Sequence, residues 1–261
     1  MLTLLATLIG NLGIVVFTFL FAIPSFLFGF VPPRGNVTFM LAQAWAKVLL
    51  FFCFVRVKIE FDPAFDRVNQ AAHCIYMANH QSLFDIPVLL STLPGQTRFM
   101  AKQSLFRIPL FGWAIAAGGF IPVDRENRSR AKEAFDAAVS RLQAGTSVLL
   151  FPEETRSLDG QLLPFQRGGF LLALKSGLPI VPVGIEGTLG IQGKKSFLIH
   201  PGTVHVRYGA PIPMAEFDLR RRRELDALVR DKVAALARVP TAVSAAISEQ
   251  APAIALPSHG E

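Results

Sequence analysis

Cys74-Ile75-Tyr76-Met77-Ala78-Asn79-His80-Gln81-Ser82-Leu83-Phe84-Asp85-Ile86-Pro87 is the stretch on which the architecture turns. Cys74 to Ala78 is uniformly apolar and is followed by a polar run. A short apolar run bounded in this way suits a strand buried on both faces. Pro87 suits the first turn of a helix, where its missing N–H leaves no bond unmade. The order is therefore strand, loop, helix, with His80 in the loop and the helix starting near Asp85. The same alternation continues outward. Strands are expected at 55–61, 74–77, 98–101, 120–123, 148–151, 180–185 and 204–208. Helices are expected at 85–93, 111–117, 128–144, 168–176 and 219–239. In 128–144, Ala131, Ala134, Phe135, Val139 and Leu142 share one side, and Gly145 is a C-terminal stop. The pattern predicts an α/β domain: a mixed, largely parallel sheet of about seven strands flanked by helices.

Upstream the chain changes character. Met1 to Pro33 carries no charged side chain. The apolar stretch 2–31 is long enough to cross a bilayer, for which about 20 residues suffice. Pro24 is expected to kink or end that helix. A signal peptide is the alternative, but no Lys or Arg precedes the run, and it exceeds a signal core. A second stretch, 38–55, contains Gln43 and Lys47. It either spans or lies in the interface with Lys47 snorkelling. The expected organisation is membrane-associated helices over 1–54, a catalytic α/β domain over 55–239 and a poorly ordered tail over 240–261. Arg56 and Lys58 follow the second stretch, which suits an inner-membrane protein whose domain faces the cytoplasm.

Hydrophobic residues make up 51% of the 261 and charged ones 17%. That is too apolar for an ordinary soluble enzyme and too charged for a wholly membrane-embedded chain. The net charge of +7 favours anionic lipid or phosphorylated partners. The one basic run, Arg220-Arg221-Arg222-Arg223, falls on a helix, and no nucleic-acid partner is expected. Cys53 and Cys74 are too few for a disulfide framework. No His/Cys/Asp/Glu spacing suggests a metal. There is no glycine-rich nucleotide loop and no Gly-x-Ser-x-Gly elbow. No cofactor is expected.

His80 and Asp85 are candidates for chemistry. On one continuous helix they would sit about 140° apart. From the preceding loop, His80 can turn back to Asp85. The carboxylate then holds one ring nitrogen and leaves the other as a base for an alcohol. The alternative is that Asp85 merely caps the helix and His80 has no task. Arg125 and Arg156 both follow expected strands, where α/β folds place ligands. Their planar guanidinium forks match phosphate oxygens. Lys102 is a further phosphate candidate.

Asn79-His80-x-Ser82-x-x-Asp85 resembles the first signature block of the glycerolipid acyltransferases, the family containing the 1-acylglycerol-3-phosphate acyltransferases. Gly119 to Arg125 resembles the second block, Phe151 to Ser157 the third and Ile180 to Val183 the fourth, in the family's order. One departure stands out: the family's Glu-Gly-Thr-Arg is here Glu153-Glu154-Thr155-Arg156. The family's Phe-Lys-x-Gly is here Phe165-Gln166-Arg167-Gly168, with Arg167 as the substitute cation. The resemblance implies direct acyl transfer from acyl-CoA or acyl-carrier protein to the sn-2 hydroxyl of 1-acyl-sn-glycerol 3-phosphate. It makes His80 the base and Asp85 its orienting acid; no serine nucleophile is needed, so Ser82 need not be catalytic. Glu153 and Thr155 belong with Arg156 at the acceptor. Pro182 and Val183 shape the wall near the acyl chain. The acceptor comes from the bilayer. The competing expectations are another lyso-lipid acceptor (lyso-ornithine lipid or a neutral lysophospholipid), a non-catalytic lipid-binding scaffold, and a hydrolase giving the acyl group to water.

Overall fold

The computed structural model describes residues 2–29, 31, 35–65, 73–124 and 128–239; Arg125 and the tail 240–261 lie outside them. Seven strands form one sheet in the order β1-β7-β6-β2-β5-β3-β4. They are β1 (Val55–Phe61), β2 (Ile75–Ala78), β3 (Thr97–Lys102), β4 (Ile121–Val123), β5 (Ser147–Leu150), β6 (Ile180–Glu186) and β7 (Gly202–Tyr208). Neighbours run parallel except β6 and β7, which are antiparallel. The expected mixed, largely parallel sheet is the one found.

β2 sits in the middle, between β5 and β6, and every residue in it is buried. Its side chains alternate between two cores, as strand geometry requires. Tyr76 and Ala78 join one core with Leu89 of α3 (Asp85–Thr92) and Leu49 of α2 (Asn36–Phe52). Ile75 and Met77 join the other. That second core is closed by Ala138 of α5 (Arg128–Gln143), Phe170 of α6 (Arg167–Ser176) and Val229 of α8 (Arg222–Ala237). Two short helices, α4 (Phe111–Ala117) and α7 (Thr188–Ile191), lie among the described residues as well.

α8 starts later than expected. Asp218 Oδ1 accepts the backbone N–H groups of Arg220 and Arg221 at 2.8 and 2.9 Å. This side-chain turn competes with the helix and holds its first residues outside it. In α1 (Leu2–Phe28), Pro24 lies inside the helix and does not end it. α1 is the one helix among the described residues long and apolar enough to cross a membrane.

The two N-terminal helices pack on the catalytic domain. α2 contributes Phe39, Ala46, Leu49, Leu50 and Cys53 to the first core. α1 is tied down near both ends. Thr7 donates to the Ile199 carbonyl at 3.3 Å and Asn11 to that of Phe197 at 3.0 Å. Phe26 lies 5.9 Å from the Trp113 ring of α4. The opposite side of α1 presents Leu4, Leu8, Leu12, Leu20 and Leu27 outward, all at least 60% exposed.

Candidate active site

Because β2, β5 and β6 are parallel neighbours, the loops after them meet at one edge of the sheet, where ligands bind in such folds. The loop after β2 carries His80, the one after β5 carries Glu153 to Arg156, and the one after β6 carries Thr188.

His80 Nδ1 lies 2.7 Å from Asp85 Oδ2. That same oxygen accepts the backbone N–H groups of Gln81 and Ser82, at 2.7 and 2.8 Å. Thr188 Oγ1 donates to the other carboxylate oxygen at 2.5 Å. Asp85 is fully buried. With two N–H groups aimed at Oδ2, that atom is an acceptor, and the proton of the pair sits on His80 Nδ1. Nε2 is left with a free lone pair. The ring is only 15% exposed and stacks on Phe151 with centroids 4.0 Å apart. The imidazole is therefore held in tautomer, tilt and position.

The loop is clamped from its other sides. The Asn79 side chain exchanges two hydrogen bonds with the backbone of Ile185, at 2.9 and 2.7 Å. Ser157 N–H donates to the His80 carbonyl at 2.8 Å. Ser82 Oγ donates to the Gln192 carbonyl and accepts from Phe84 N–H, and the residue is fully buried. Both hydrogen bonds tie this serine to the backbone around it, a holding role for the loop.

Glu153 is turned inward. Oε1 accepts His80 N–H at 2.7 Å and Oε2 accepts Leu163 N–H at 2.8 Å. It braces the histidine loop instead of contacting Arg156. Burial pushes its carboxyl up from 4.5 to about 7, the two backbone N–H groups oppose this, and nearby Asp85 adds to it.

A cavity of about 780 Å³ opens beside His80. Lys102, Glu154, Thr155, Arg156, Arg167 and Lys194 are among its polar lining. Its interior runs between the N-terminal helices and the sheet, past Phe21, Ala42, Trp45, Leu90, Phe99 and Ala114. Four expected residues, Lys102, Thr155, Arg156 and Arg167, thus line one cavity with His80. Arg125 lies outside the described residues. Phe120 lines the cavity and stacks on Phe99, whereas Pro182 and Val183 are buried in β6 away from it. Among the described residues no group of His, Cys, Asp and Glu could hold a metal.

Glu154, at the position where the resembled family carries Gly, has φ 59. The left-handed backbone is kept without the residue that adopts it freely, at a cost of about 1 kcal/mol. Sequence reasoning missed Thr188 and Lys194. Gly187, with φ 102, was the available signal of a sharp turn before Thr188. Lys194 Nζ donates to Thr155 Oγ1 at 3.1 Å and to the Arg156 carbonyl at 2.7 Å.

Residues 63–186 match the acyltransferase family profile. The chain is 34% identical over 189 residues to the chloroplastic 1-acyl-sn-glycerol-3-phosphate acyltransferase BAT2 of Brassica napus, an alignment covering 71% of this chain and 53% of the relative. It is 32% identical over 185 residues to the 1-acyl-sn-glycerol-3-phosphate acyltransferase of Salmonella typhimurium, covering 69% and 74%. The crystal structure of the 1-acyl-sn-glycerophosphate acyltransferase PlsC from Thermotoga maritima superposes with a TM-score of 0.72 at 27% identity, over 90% of this chain and 95% of that one. The chain spans about half the length of the plant relatives it matches. With the four motif blocks, the sheet and the His80–Asp85 pair in agreement, the chain belongs to the acyltransferase family that includes the 1-acyl-sn-glycerol-3-phosphate acyltransferases.

Proposed function

We propose that this protein transfers a fatty acyl group from acyl-CoA or acyl-carrier protein to the sn-2 hydroxyl of 1-acyl-sn-glycerol 3-phosphate, forming phosphatidate. The observation that carries this reading is the His80–Asp85 pair at the mouth of an apolar cavity rimmed by cations. His80 Nε2 takes the hydroxyl proton as the oxygen attacks the thioester carbonyl. The new C–O bond forms, the C–S bond breaks, and the proton passes from Nε2 to the departing thiolate. Asp85 stabilises the transient imidazolium. A positioned base is worth about 10²- to 10⁴-fold, and orientation supplies further acceleration. Arg156, Arg167 and Lys102 receive the acceptor's phosphate and the donor's anionic groups. The apolar interior takes the acyl chain; its size falls within the range of ordinary ligand sites.

The acceptor arrives from a membrane. α1 is fastened to the domain near both ends and exposes an apolar stripe along its length. This supports a helix lying in one leaflet over a helix crossing both, since a crossing helix would leave the domain at one end. The cavity is roofed by α1 and α2, so an acceptor in that leaflet reaches His80 without leaving lipid.

Labelled palmitoyl-CoA offered to purified protein with lysophosphatidate, lysophosphatidylcholine or lyso-ornithine lipid tests the reading. Phosphatidate as the main product is expected. Product from another lyso-lipid alone would overturn the acceptor, and acyl release to water would overturn transfer.

A further inference from the structure

Lys194 belongs to none of the four motif blocks. It sits in the segment between α7 and β7, yet its ammonium reaches the wall of the cavity beside Arg156. Two of its three N–H groups are spent on Thr155 Oγ1 and the Arg156 carbonyl. Both partners are neutral, so the positive charge is oriented but not cancelled. Among the described residues no carboxylate pairs with Lys194 or with Arg156.

The root of the side chain is fixed as well. Thr188 is bonded to Asp85, Gln192 accepts from Ser82, and the Ile199 N–H donates to Thr7 Oγ1 at 3.0 Å. A lysine held at both ends has already lost the freedom that a mobile surface lysine gives up on binding an anion. A compact cation with one N–H unspent, in a cavity that Arg156 also lines, suits the oxygens of a phosphate monoester.

We propose that Lys194 is a specificity-determining residue, whose ammonium beside Arg156 selects acceptors bearing a phosphate monoester over neutral ones; this rests on the acyl-transfer reading above. Phosphate groups also occur on the CoA donor, and the test separates the two sources.

The full-length protein in detergent, with Lys194→Met and Lys194→Arg, would be assayed with lysophosphatidate and with 1-monoacylglycerol as acceptors, and KM for acyl-CoA measured in parallel. The expected result for Lys194→Met is a KM for lysophosphatidate raised about ten- to a hundredfold, as for loss of one hydrogen bond to a charged group. The preference in kcat/KM for lysophosphatidate over monoacylglycerol falls by the same factor, KM for acyl-CoA stays put, and Lys194→Arg recovers most of the preference. Equal losses on both acceptors would show that Lys194 only props the Arg156 loop, and would overturn the proposal. So would a raised KM for acyl-CoA alone, or no change. If the unmutated protein forms no phosphatidate, the acyl-transfer reading falls and this inference with it. If it forms phosphatidate and Lys194→Met does so with the same KM, only this inference falls.

Discussion

Asp85 accepts from four donors, and each fixes part of the base. The Thr188 hydroxyl is the only one supplied by a side chain far along the chain, 103 positions away. Thr188→Val keeps the shape and removes the donor. Loss of one such bond to a charged group costs about 1.5–3 kcal/mol, so kcat is expected to fall at least tenfold, with Thr188→Ser restoring it. Steady-state kinetics on the two variants checks this. Glu153 gives a second prediction. Its folded carboxyl titrates near 7 against 4.5 ordinarily, so between those values the folded state holds a proton that the unfolded state has released. Its contribution to stability is full below 4.5 and is lost as pH rises through 7. Glu153→Gln should flatten that part of the stability–pH curve in denaturant titrations. It should also lower stability by about 1–3 kcal/mol where Glu153 is protonated in both states, because one of two buried N–H groups loses its acceptor. The loop-then-helix geometry around His80 and Asp85 was legible from Pro87, whereas their pairing as base and acid rested on the resemblance of the four blocks, since the spacing alone also suits a helix cap. The inward turn of Glu153 was not, since a motif supplies the acid without saying which way it faces. Thr188 and Lys194 escaped for another reason: a contact spanning such a separation leaves no local pattern.

At the scale of elements, the strands were legible because β2, β5 and β6 are buried on both faces and so read as unbroken apolar runs. α3 was legible from Pro87. α7 was not, because four residues are too few for a helical period. The part that the two N-terminal helices play in the cavity was also hidden. Their apolar composition announced a membrane, but Ala22, Ala42 and Trp45 also wall the cavity. This arrangement predicts that α2 limits acyl-chain length. Ala42→Phe should shorten the longest donor used well by at least two methylenes. At about 0.8 kcal/mol for each methylene denied burial, the preference for a long over a shorter acyl-CoA falls about tenfold or more. Competition assays with acyl-CoA mixtures read the shift.

The whole molecule is a sheet whose His80-bearing edge is joined to a roof of two apolar helices. The segment from the start of α7 onward makes that connection directly: Thr188 touches Asp85, Lys194 the Arg156 loop, and Ile199 the first helix. α2 supplies Phe39, Leu49 and Leu50 to the core. Removal of residues 1–54 should therefore open that core and yield aggregate, not a soluble enzyme. A milder change separates binding from folding. Leu8→Glu with Leu12→Glu alters only the exposed stripe of α1. Burying a leucine side chain is worth about 1.5–3 kcal/mol, so binding to vesicles containing anionic lipid should weaken well over tenfold in flotation assays. The melting temperature in detergent should hold.

The central claim is that His80 removes the proton of the acceptor hydroxyl during direct transfer. Its most direct test is the single-turnover rate of phosphatidate formation from labelled acyl-CoA and lysophosphatidate, compared between the unmutated protein and His80→Ala. The expected result is a fall of about 10²- to 10⁴-fold with acyl-CoA binding retained. A His80→Ala protein that forms phosphatidate at an undiminished rate would contradict it.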